Sequence, residues 1–432
     1  MVAIAKENLY ADEDFRLATG KNIIFKLENE SDIKKDIERY YLENNTNSDE
    51  YSKTLVDDIL KKALSLEASD IHIEPYECNL KIRMRIDGYL NEIYSYPIKL
   101  HMRLVSIIKL LAGIDIAEKR LPKDGRIDRV INNNLIDLRI STIPTIHGEK
   151  VVIRMLNRDK FLKNKSEIGF SQHSIQKINN IVKNNNGILI ITGPTGSGKT
   201  TTLYSIVNDF KHMDKNIVTI EDPVEYKIDG INQIQLNTKI GLNFANGLRA
   251  ILRQDPDIIM VGEIRDVETA KIAMRAAATG HLVLSTMHTN SAVEAINRLL
   301  DMEIPRYLIA SSLKGIVAQR LVRRTCNKCK SESYVNLVNN ERFDMSVYSS
   351  GKPEIVCSEC NNSGYKGRIA VNEVLEINKN IRTAIIEGKN TEEIYSIAKN
   401  NDMITFEDSC KYLIKEGITT QDECISVEVL NN

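Results

Sequence analysis

The segment 193–200 carries the clearest chemical signature in this chain of 432 residues. Its order is Gly193-Pro194-Thr195-Gly196-Ser197-Gly198-Lys199-Thr200, which fits the pattern GxxxxGK[ST]. Glycines let backbone N–H groups turn toward a phosphate without a Cβ in the way. In this pattern the lysine reaches the β- and γ-phosphates, and the threonine hydroxyl ligates Mg²⁺. The spacing therefore predicts a nucleotide-binding loop, in which we include Thr201.

Carboxylates follow two apolar runs farther along the chain. Glu221, Asp222 and Glu225 come just after NIVTI, and a fourth acid, Glu263, ends DIIMVGE. Phosphoryl transfer to water needs a held Mg²⁺ and a water oriented by an acceptor. Two acids at neighbouring strand ends can divide these tasks. Such acids also serve as helix caps or solvated turn residues, but the phosphate loop upstream favours the site.

Two histidines, His281 and His288, flank the apolar run LVLSTM. A lone histidine is usually a surface or core residue with a satisfied hydrogen bond. His288 lies at the carboxyl end of the run, where it can sense the γ-phosphate. We therefore include His288 among the site residues and give His281 the weaker claim.

Seven cysteines in a chain of this length do not form a disulfide scaffold. Four of them form two CxxC pairs, separated by 27 residues: Cys326, Cys329, Cys357 and Cys360. Four thiolates suit a closed, tetrahedral, structural Zn²⁺ site, and the longer separation leaves room for an inserted loop. The alternative is four free thiols in a reducing compartment.

The elements that must position these residues can be inferred from apolar spacing. GILIITG, NIVTIEDP, DIIMVGEI and HLVLSTMHT are continuous apolar runs that alternate with helical patterns. Such runs are typical of parallel strands buried on both faces, so we expect an α/β fold with a doubly wound parallel sheet. Ligands bind at the carboxyl ends of such strands.

Upstream and downstream segments have different patterns. IHIEPY and NLKIRMRIDGYL alternate apolar and polar residues, as strands do, and they come after a segment with the apolar spacing of a helix. This combination predicts an α+β domain. After Cys360 the chain reads as helical. The predicted organisation is a polar segment (1–50), an α+β domain (51–157), a linker (158–168), an ATPase core (169–325), a zinc knuckle (326–368) and a helical C-terminal part (369–432).

Composition limits the function classes. The formal net charge of −1 gives no global attraction to nucleic acid or anionic lipid. No apolar run approaches the ~18 residues of a transmembrane helix, and the N-terminus lacks a signal-peptide pattern. We expect a cytoplasmic protein.

The motifs together resemble those of secretion ATPases, the motors of type II secretion and type IV pilus assembly. GPTGSGKTTTLY, IVTIEDPVEY, LRQDPDIIMVGEIRD and TGHLVLSTMHTN occur in the family's order. The resemblance extends upstream through SDIHIEP, IRMRIDG, DIAEKRLPKDGRI and DLRISTIPTIHGEKVVIRML, and downstream through AQRLVRRTC and CNNSGYKGRIAVNEV. It covers about residue 52 to the end of the chain.

This resemblance implies a RecA-like ATPase core, a PAS-like N-terminal α+β domain and a homohexameric ring. It also implies ATP, Mg²⁺ and structural Zn²⁺ as cofactors. By resemblance, Glu221 is the general base for the attacking water, and Glu263 supports Mg²⁺ through its waters. Hydrolysis of ATP would then drive pilin polymerisation or assembly of the related secretion pseudopilus.

The resemblance also gives a role to arginines of the N-terminal domain, which would close over the γ-phosphate. Arg139 in DLRIST and Arg154 in VVIRML match the family's positions, and Arg126 in KDGR is a weaker candidate. An arginine brought by another domain or subunit ties closure to the presence of the γ-phosphate. Without the resemblance, surface pairing with nearby acids is the simpler explanation: Asp128, Asp137 and Glu149.

The implied partners are further copies of the chain and an inner-membrane platform protein of a pilus or secretion machine. Membrane association would come only through such partners. The cysteine cluster is similar to that of pilus assembly and type II secretion motors. It therefore favours a motor that extends a pilus over one that retracts it. Larger members carry additional N-terminal domains, whereas about fifty polar residues precede the common core here, so the recruiting adaptor is unassigned.

Two other function classes are open at this point. A DNA-uptake or conjugation-type motor of the same superfamily is disfavoured by the near-neutral charge and the lack of an aromatic-rich basic groove. Stable binding of nucleic acid is therefore not expected. A non-enzymatic nucleotide sensor is disfavoured by the complete set of Lys199, Glu221 and Glu263. The motifs do not separate pilus assembly from type II secretion.

Overall fold

The computed structural model describes residues 2–4, 25–27, 49–131, 134–157, 164–183, 186–211, 214–328, 357, 359–360 and 362–428. It consists of two compact units, Met1–Asn157 and Arg158–Asn432. Most of the polar segment 1–50, most of the linker sequence NRDKFLKNKS and Cys329 lie outside the described residues.

The first unit contains an antiparallel sheet and two helices. Two short strands that pair in parallel come first in the chain, β1 (Val2–Ile4) and β2 (Phe25–Leu27). The helices are α1 (Asp49–Ser65) and α2 (His101–Leu111), the latter preceded by a 3-10 turn, Ile98–Leu100. The sheet has the order β5-β4-β3-β8-β7-β6 and consists of β3 (Asp70–Pro75), β4 (Asn79–Ile86), β5 (Tyr89–Pro97), β6 (Lys123–Ile131), β7 (Asn134–Thr145) and β8 (Gly148–Asn157).

Side-chain alternation gives this sheet one apolar and one polar face. Ile71 and Ile73 of β3 are buried in a core with residues of α1 and α2, whereas His72 between them belongs to the other face. Helix α2 ends at Leu111, and the chain turns at Gly113, which has a φ angle of +66°.

The second unit contains a sheet of seven strands. These are β9 (Gly187–Thr192), β10 (Ile217–Glu221), β11 (Asn232–Gln235), β12 (Ile258–Val261), β13 (Leu282–Met287), β14 (Leu313–Thr325) and β15 (Tyr365–Glu376). The helices are α3 (Lys165–Ile168), α4 (Gln172–Lys183), α5 (Lys199–Asp209), α6 (Phe244–Ile251), α7 (Val267–Ala278), α8 (Ala292–Asp301), α9 (Arg306–Ser312), α10 (Lys379–Glu387), α11 (Thr391–Asn400), α12 (Phe406–Lys415) and α13 (Gln421–Glu428).

The sheet of the second unit is mostly parallel and covered on both faces. Its order is β11-β10-β12-β13-β9-β14-β15, and all neighbouring strands except β14 and β15 pair in parallel. Ile188 and Ile190 of β9 face one core, built with α6 to α13, while Leu189 and Ile191 face another, built with α3 to α5. The expected parallel sheet, covered on both faces, is confirmed.

The segment after Cys360 differs from the sequence-based prediction of helix. Tyr365–Glu376 forms β15, which pairs antiparallel with β14 along almost its whole length. Its run IAVNEVL is buried and β-branched in part, so it belongs in a sheet interior. The helices of this part follow only afterwards, as α10 to α13.

Membrane insertion by a helix has no support in the described residues: none of their helices is both long and apolar enough to span a bilayer.

Because the sheet of the second unit is covered on both faces, truncating side chains on either face of β9 should lower the free energy of unfolding. Leu189→Ala and Ile190→Ala, on opposite faces of β9, should each cost about 2–5 kcal/mol because each side chain is fully buried. Unfolding by urea, followed by circular dichroism, measures this. The matched pair in the antiparallel sheet of the first unit, which has one apolar face, is Ile82→Ala and its neighbour Lys81→Ala. Only Ile82→Ala should lower the free energy of unfolding substantially. A neutral effect of either β9 substitution would contradict the two-core arrangement.

Candidate functional site

The glycine-rich segment lies between β9 and α5. All six residues of β9 are buried, so the strand fixes the point at which the loop begins. Gly193 and Gly198 have φ angles of +149° and +85°, and a Cβ on either would collide with Gln319. These glycines are thus required by both backbone conformation and space. Helix α5 starts at Lys199 and directs its N-terminal amides into the loop, the geometry that favours an anion.

Lys199 folds back onto the loop in the structure. Its Nζ donates to the carbonyls of Gly193, at 2.7 Å, and Pro194, at 2.9 Å. Burial lowers the pKa of Lys199 to about 8, and the nearby charge of Glu263 opposes this. A phosphate at the loop would restore a full counter-charge. The buried Ser197 Oγ has no hydrogen-bond partner among the described residues, so a phosphate oxygen can satisfy it as well.

Gln319, a residue that the sequence did not single out, supports the loop from β14. Its Nε2 donates to the Ser197 carbonyl at 2.7 Å, and its Oε1 accepts from Thr202 Oγ1 at 2.7 Å. Gln319 and Thr202 are both fully buried. The loop and the first turn of α5 are therefore fixed against β14. The only sequence signal was a polar residue inside the apolar run GIVAQRL.

Glu221 ends β10 and is almost completely buried. Its carboxylate accepts hydrogen bonds from Thr219 Oγ1 at 2.6 Å, from Gln233 Nε2 at 3.2 Å and from the hydroxyl of Tyr204 on α5. Burial raises the pKa of Glu221, and these three hydrogen bonds oppose the shift. The sequence did not predict the contribution of Tyr204 and Gln233.

Glu263 follows β12, which pairs with β10, so the two acids leave neighbouring parallel strands as expected. Its carboxylate contacts Arg265 and lies 3.6 Å from His288 Nε2. Burial, followed by the charge of Lys199, lowers the pKa of the half-exposed His288. Lys199, Glu263 and His288 therefore influence one another electrostatically at one edge of the sheet.

His281 lies at the opposite end of β13 from His288. Its Nδ1 is 3.0 Å from the Ala276 carbonyl, at the end of α7. It is a residue with a satisfied local hydrogen bond, in agreement with its weaker claim. At the other end of the strand, Thr289 is fixed to the end of β9: Thr289 N donates to Thr192 Oγ1 at 2.9 Å.

The candidate arginines belong to the polar face of the antiparallel sheet in the first unit. Arg139 lies between Arg126 and Arg154 in the strand register. Arg154 Nε donates to Asp70 at 3.1 Å, and its side chain is largely exposed. Arg126 pairs with Asp137 at 2.7 Å, one of the acids expected from the sequence.

Three of the four cysteines in the CxxC pairs lie together. The Sγ atoms of Cys326, Cys357 and Cys360 are buried and within 4.8 Å of one another, while Cys329 lies outside the described residues. A tetrahedral Zn²⁺ with Zn–S bonds of about 2.3 Å sets its sulfurs about 3.8 Å apart. Cys326 Sγ lies 3.9 Å from Cys357 Sγ, which fits that geometry.

Comparison with known proteins gives sequence relatives over most of the chain. A sequence profile of the family described as "Type II/IV secretion system protein" matches residues 45–426. The type II secretion system protein E of Pectobacterium carotovorum subsp. carotovorum is 44% identical over 373 residues, covering 86% of this chain and 75% of that protein. The type IV pilus assembly ATPase PilB of Myxococcus xanthus (strain DK1622) is 39% identical over 460 residues, covering 97% and 80%.

Solved structures share the fold. The pilus retraction motor PilT, solved with bound ADP, has a TM-score of 0.57 and 26% identity and covers 86% of this chain and 96% of its own. The ATPase DotB of Legionella pneumophila has a TM-score of 0.65 at 22% identity, over 87% of this chain and 95% of its own, which shows a common fold. The profile match and the close relatives confirm the resemblance inferred from the motifs: the chain belongs to the type II/IV secretion system protein family.

Proposed function

We propose that this protein is a motor ATPase that hydrolyses ATP to drive type IV pilus assembly or the related type II secretion pseudopilus. The observation that carries the proposal is one edge of the parallel sheet. There the glycine-rich loop with Lys199 meets Glu263 and His288, with Glu221 on the adjacent strand. Both sequence relatives described above are named for these two machines.

The proposed roles follow the chemistry of each group. Loop amides at 193–198 and Lys199 bind the phosphates, and Thr200 and Thr201 complete the nucleotide site at the start of α5. Glu221 accepts a proton from the attacking water, and His288 senses the γ-phosphate. For Arg139 and Arg154, contact with the γ-phosphate rests on the resemblance of their motifs.

The proposed metals fit the donor atoms available. The Thr200 hydroxyl and the Glu263 carboxylate, acting through water, are the oxygen donors that suit Mg²⁺, which would neutralise charge on the phosphates. Cys326, Cys357 and Cys360, with Cys329, would hold a structural Zn²⁺. The three buried thiols, whose Sγ atoms lie within 4.8 Å of one another, support this assignment.

The proposed assembly is a homohexamer at the cytoplasmic face of the inner membrane, attached through a platform protein. We further propose a PAS-like domain (51–157), a linker (158–168), a RecA-like core (169–325), a zinc knuckle (326–368) and, beyond β15, a C-terminal part that is helical from Lys379, after the polar segment 1–50. The parallel sheet, with β13 between the strands of the loop and of Glu263, supports the RecA-like core.

The direct test is turnover of ATP by the purified chain with Mg²⁺. Activity that duplex DNA does not stimulate is expected, and Lys199→Ala should lower it at least ~100-fold by weakening nucleotide binding. The control is Lys411→Ala, on the exposed face of α12, which should keep parental activity. Stimulation by DNA would favour a nucleic-acid motor, and no turnover with intact binding would favour a sensor.

Glu221→Gln and Glu263→Gln should separate binding from chemistry. Each variant should bind ATP with near-parental affinity but lose ~10²–10³-fold in kcat, because the general base or the support of Mg²⁺ is missing. Nucleotide titration and steady-state assays measure the two quantities. Glu392→Gln, at an exposed position of α11, is the control. Parental kcat in either variant would refute the role of that acid.

Cys357→Ser should lower metal content and thermal stability. One Zn²⁺ per parental chain is expected by elemental analysis, with a clear loss in the variant and a midpoint of thermal unfolding lower by at least ~4 °C. Below both midpoints kcat should change little, because the cluster is structural. The exposed Cys78 supplies the control Cys78→Ser, which should keep the metal. Parental protein far below one Zn²⁺ per chain would reject the knuckle.

A further inference from the structure

The side chain of Glu221 is surrounded by donors from three elements. Thr219 on the same strand donates to Oε1 at 2.6 Å, and Gln233 on the neighbouring β11 donates to Oε1 at 3.2 Å. Tyr204, on the helix that begins with Lys199, donates to Oε2. Only 3% of Glu221 is exposed, so the carboxylate meets these groups rather than solvent.

The hydrogen-bonding capacity of a carboxylate limits what remains. An ionised carboxylate has about four acceptor sites, and three donors occupy three of them. One site on Oε2 is therefore left for a water molecule. The donors thus oppose the rise in the pKa of Glu221 that burial causes, and they decide the direction from which the carboxylate can accept a proton.

Tyr204 has no freedom in how it donates. Its hydroxyl accepts from the backbone N–H groups of Glu225, at 3.2 Å, and Tyr226, at 3.4 Å. A phenolic oxygen has two acceptor sites and one proton. Since both acceptor sites are used, the proton points at Glu221. Tyr204 is fully buried, and burial raises its pKa, so it stays protonated at all physiological pH values.

From this geometry we propose that Tyr204 is a positioning residue that sets the orientation and the proton affinity of Glu221. The inference rests on the proposed function, in which Glu221 is the general base. Tyr204 is on α5, and its hydroxyl bonds both to Glu221 and to the backbone amides of Glu225 and Tyr226. It therefore joins α5 to the loop 222–226. Helix α5, which follows the glycine-rich loop, is therefore held against Glu221 by one side chain.

The charged surroundings determine the sign of the expected pH effect. Among the residues that the structure describes, Tyr204 from α5 and Glu225 from the loop after β10 are the titratable groups whose effect on Glu221 is resolved. The adjacent strands bring uncharged groups: Gln233 and Gln235 from β11, and Gly262 at the end of β12. A donor to the carboxylate favours its ionised form, so removal of the donor raises the pH at which the base is lost.

The test is the pH dependence of turnover in Tyr204→Phe. When kcat is measured between about pH 5 and pH 9, the acidic limb of its pH profile should lie about one pH unit higher than in the parental protein. At neutral pH kcat should fall about tenfold, while KM for ATP should stay within about threefold, because phosphate binding is left intact.

A second variant separates positioning from loss of structure. Thr219→Val removes a different donor to Glu221 and leaves the loop amides bonded to Tyr204, and it should move the acidic limb in the same direction. The matched control is Tyr365→Phe, which also removes a buried tyrosine hydroxyl, here bonded to Thr420 at 2.8 Å. Tyr365 is on β15, which is separated from β10 and Glu221 by the strands β12, β13, β9 and β14. That variant should keep the parental pH profile.

The outcomes distinguish this inference from the proposed function. A uniform loss of kcat without a shift of the limb, in both Tyr204→Phe and Thr219→Val, would overturn positioning. So would parental behaviour of both variants. Should Tyr204→Phe fail to fold, Thr219→Val decides alone. Failure of the proposed function would appear separately, as Glu221→Gln retaining the parental kcat.

Discussion

The parallel alignment of four buried strands is the constraint on which the site depends. β9, β10, β12 and β13 run in the same direction and are buried along their whole length. Their carboxyl ends therefore meet at one edge of the sheet, where the backbone amides of the loop and the side chains of Glu221, Glu263 and His288 emerge. Because each strand packs between two cores, its end is a fixed point. The loops need to span only a few residues to bring these groups together.

Buried polar contacts extend this order beyond the strand ends. An unpaired polar group in a core costs free energy, so a buried glutamine or tyrosine holds the position in which all its hydrogen bonds are made. Gln319 fixes the loop to β14, and Tyr204 fixes α5 to the loop after β10. Lys199 instead contacts two loop carbonyls, which phosphate oxygens can replace as acceptors.

The antiparallel sheet of the first unit presents charged side chains in a different way from the parallel sheet of the second. One face of its sheet packs on α1 and α2, which leaves a second face free for charges. On that face Glu74 is buried but accepts from Arg83 and Lys150, which outweigh the cost of burial and lower its pKa to about 2. Arg139 and Arg154 stand on the same sheet. A one-sided sheet can thus present arginines, whereas the two-sided sheet can present functional groups only at its ends.

Sequence alone determined the features that depend on short spacing. The glycine-rich loop, the buried runs of β9, β10, β12 and β13, and the paired cysteines each lie within a few residues, so local pattern was sufficient. The tertiary structure decided what bonds across the chain. Gln319 contacts Ser197, which lies 122 positions away in the chain. The segment of β15 was predicted as helix, and its pairing with β14 is what makes it a strand. Those contacts depend on strand order and burial, which bring distant residues together and leave no periodicity in the sequence.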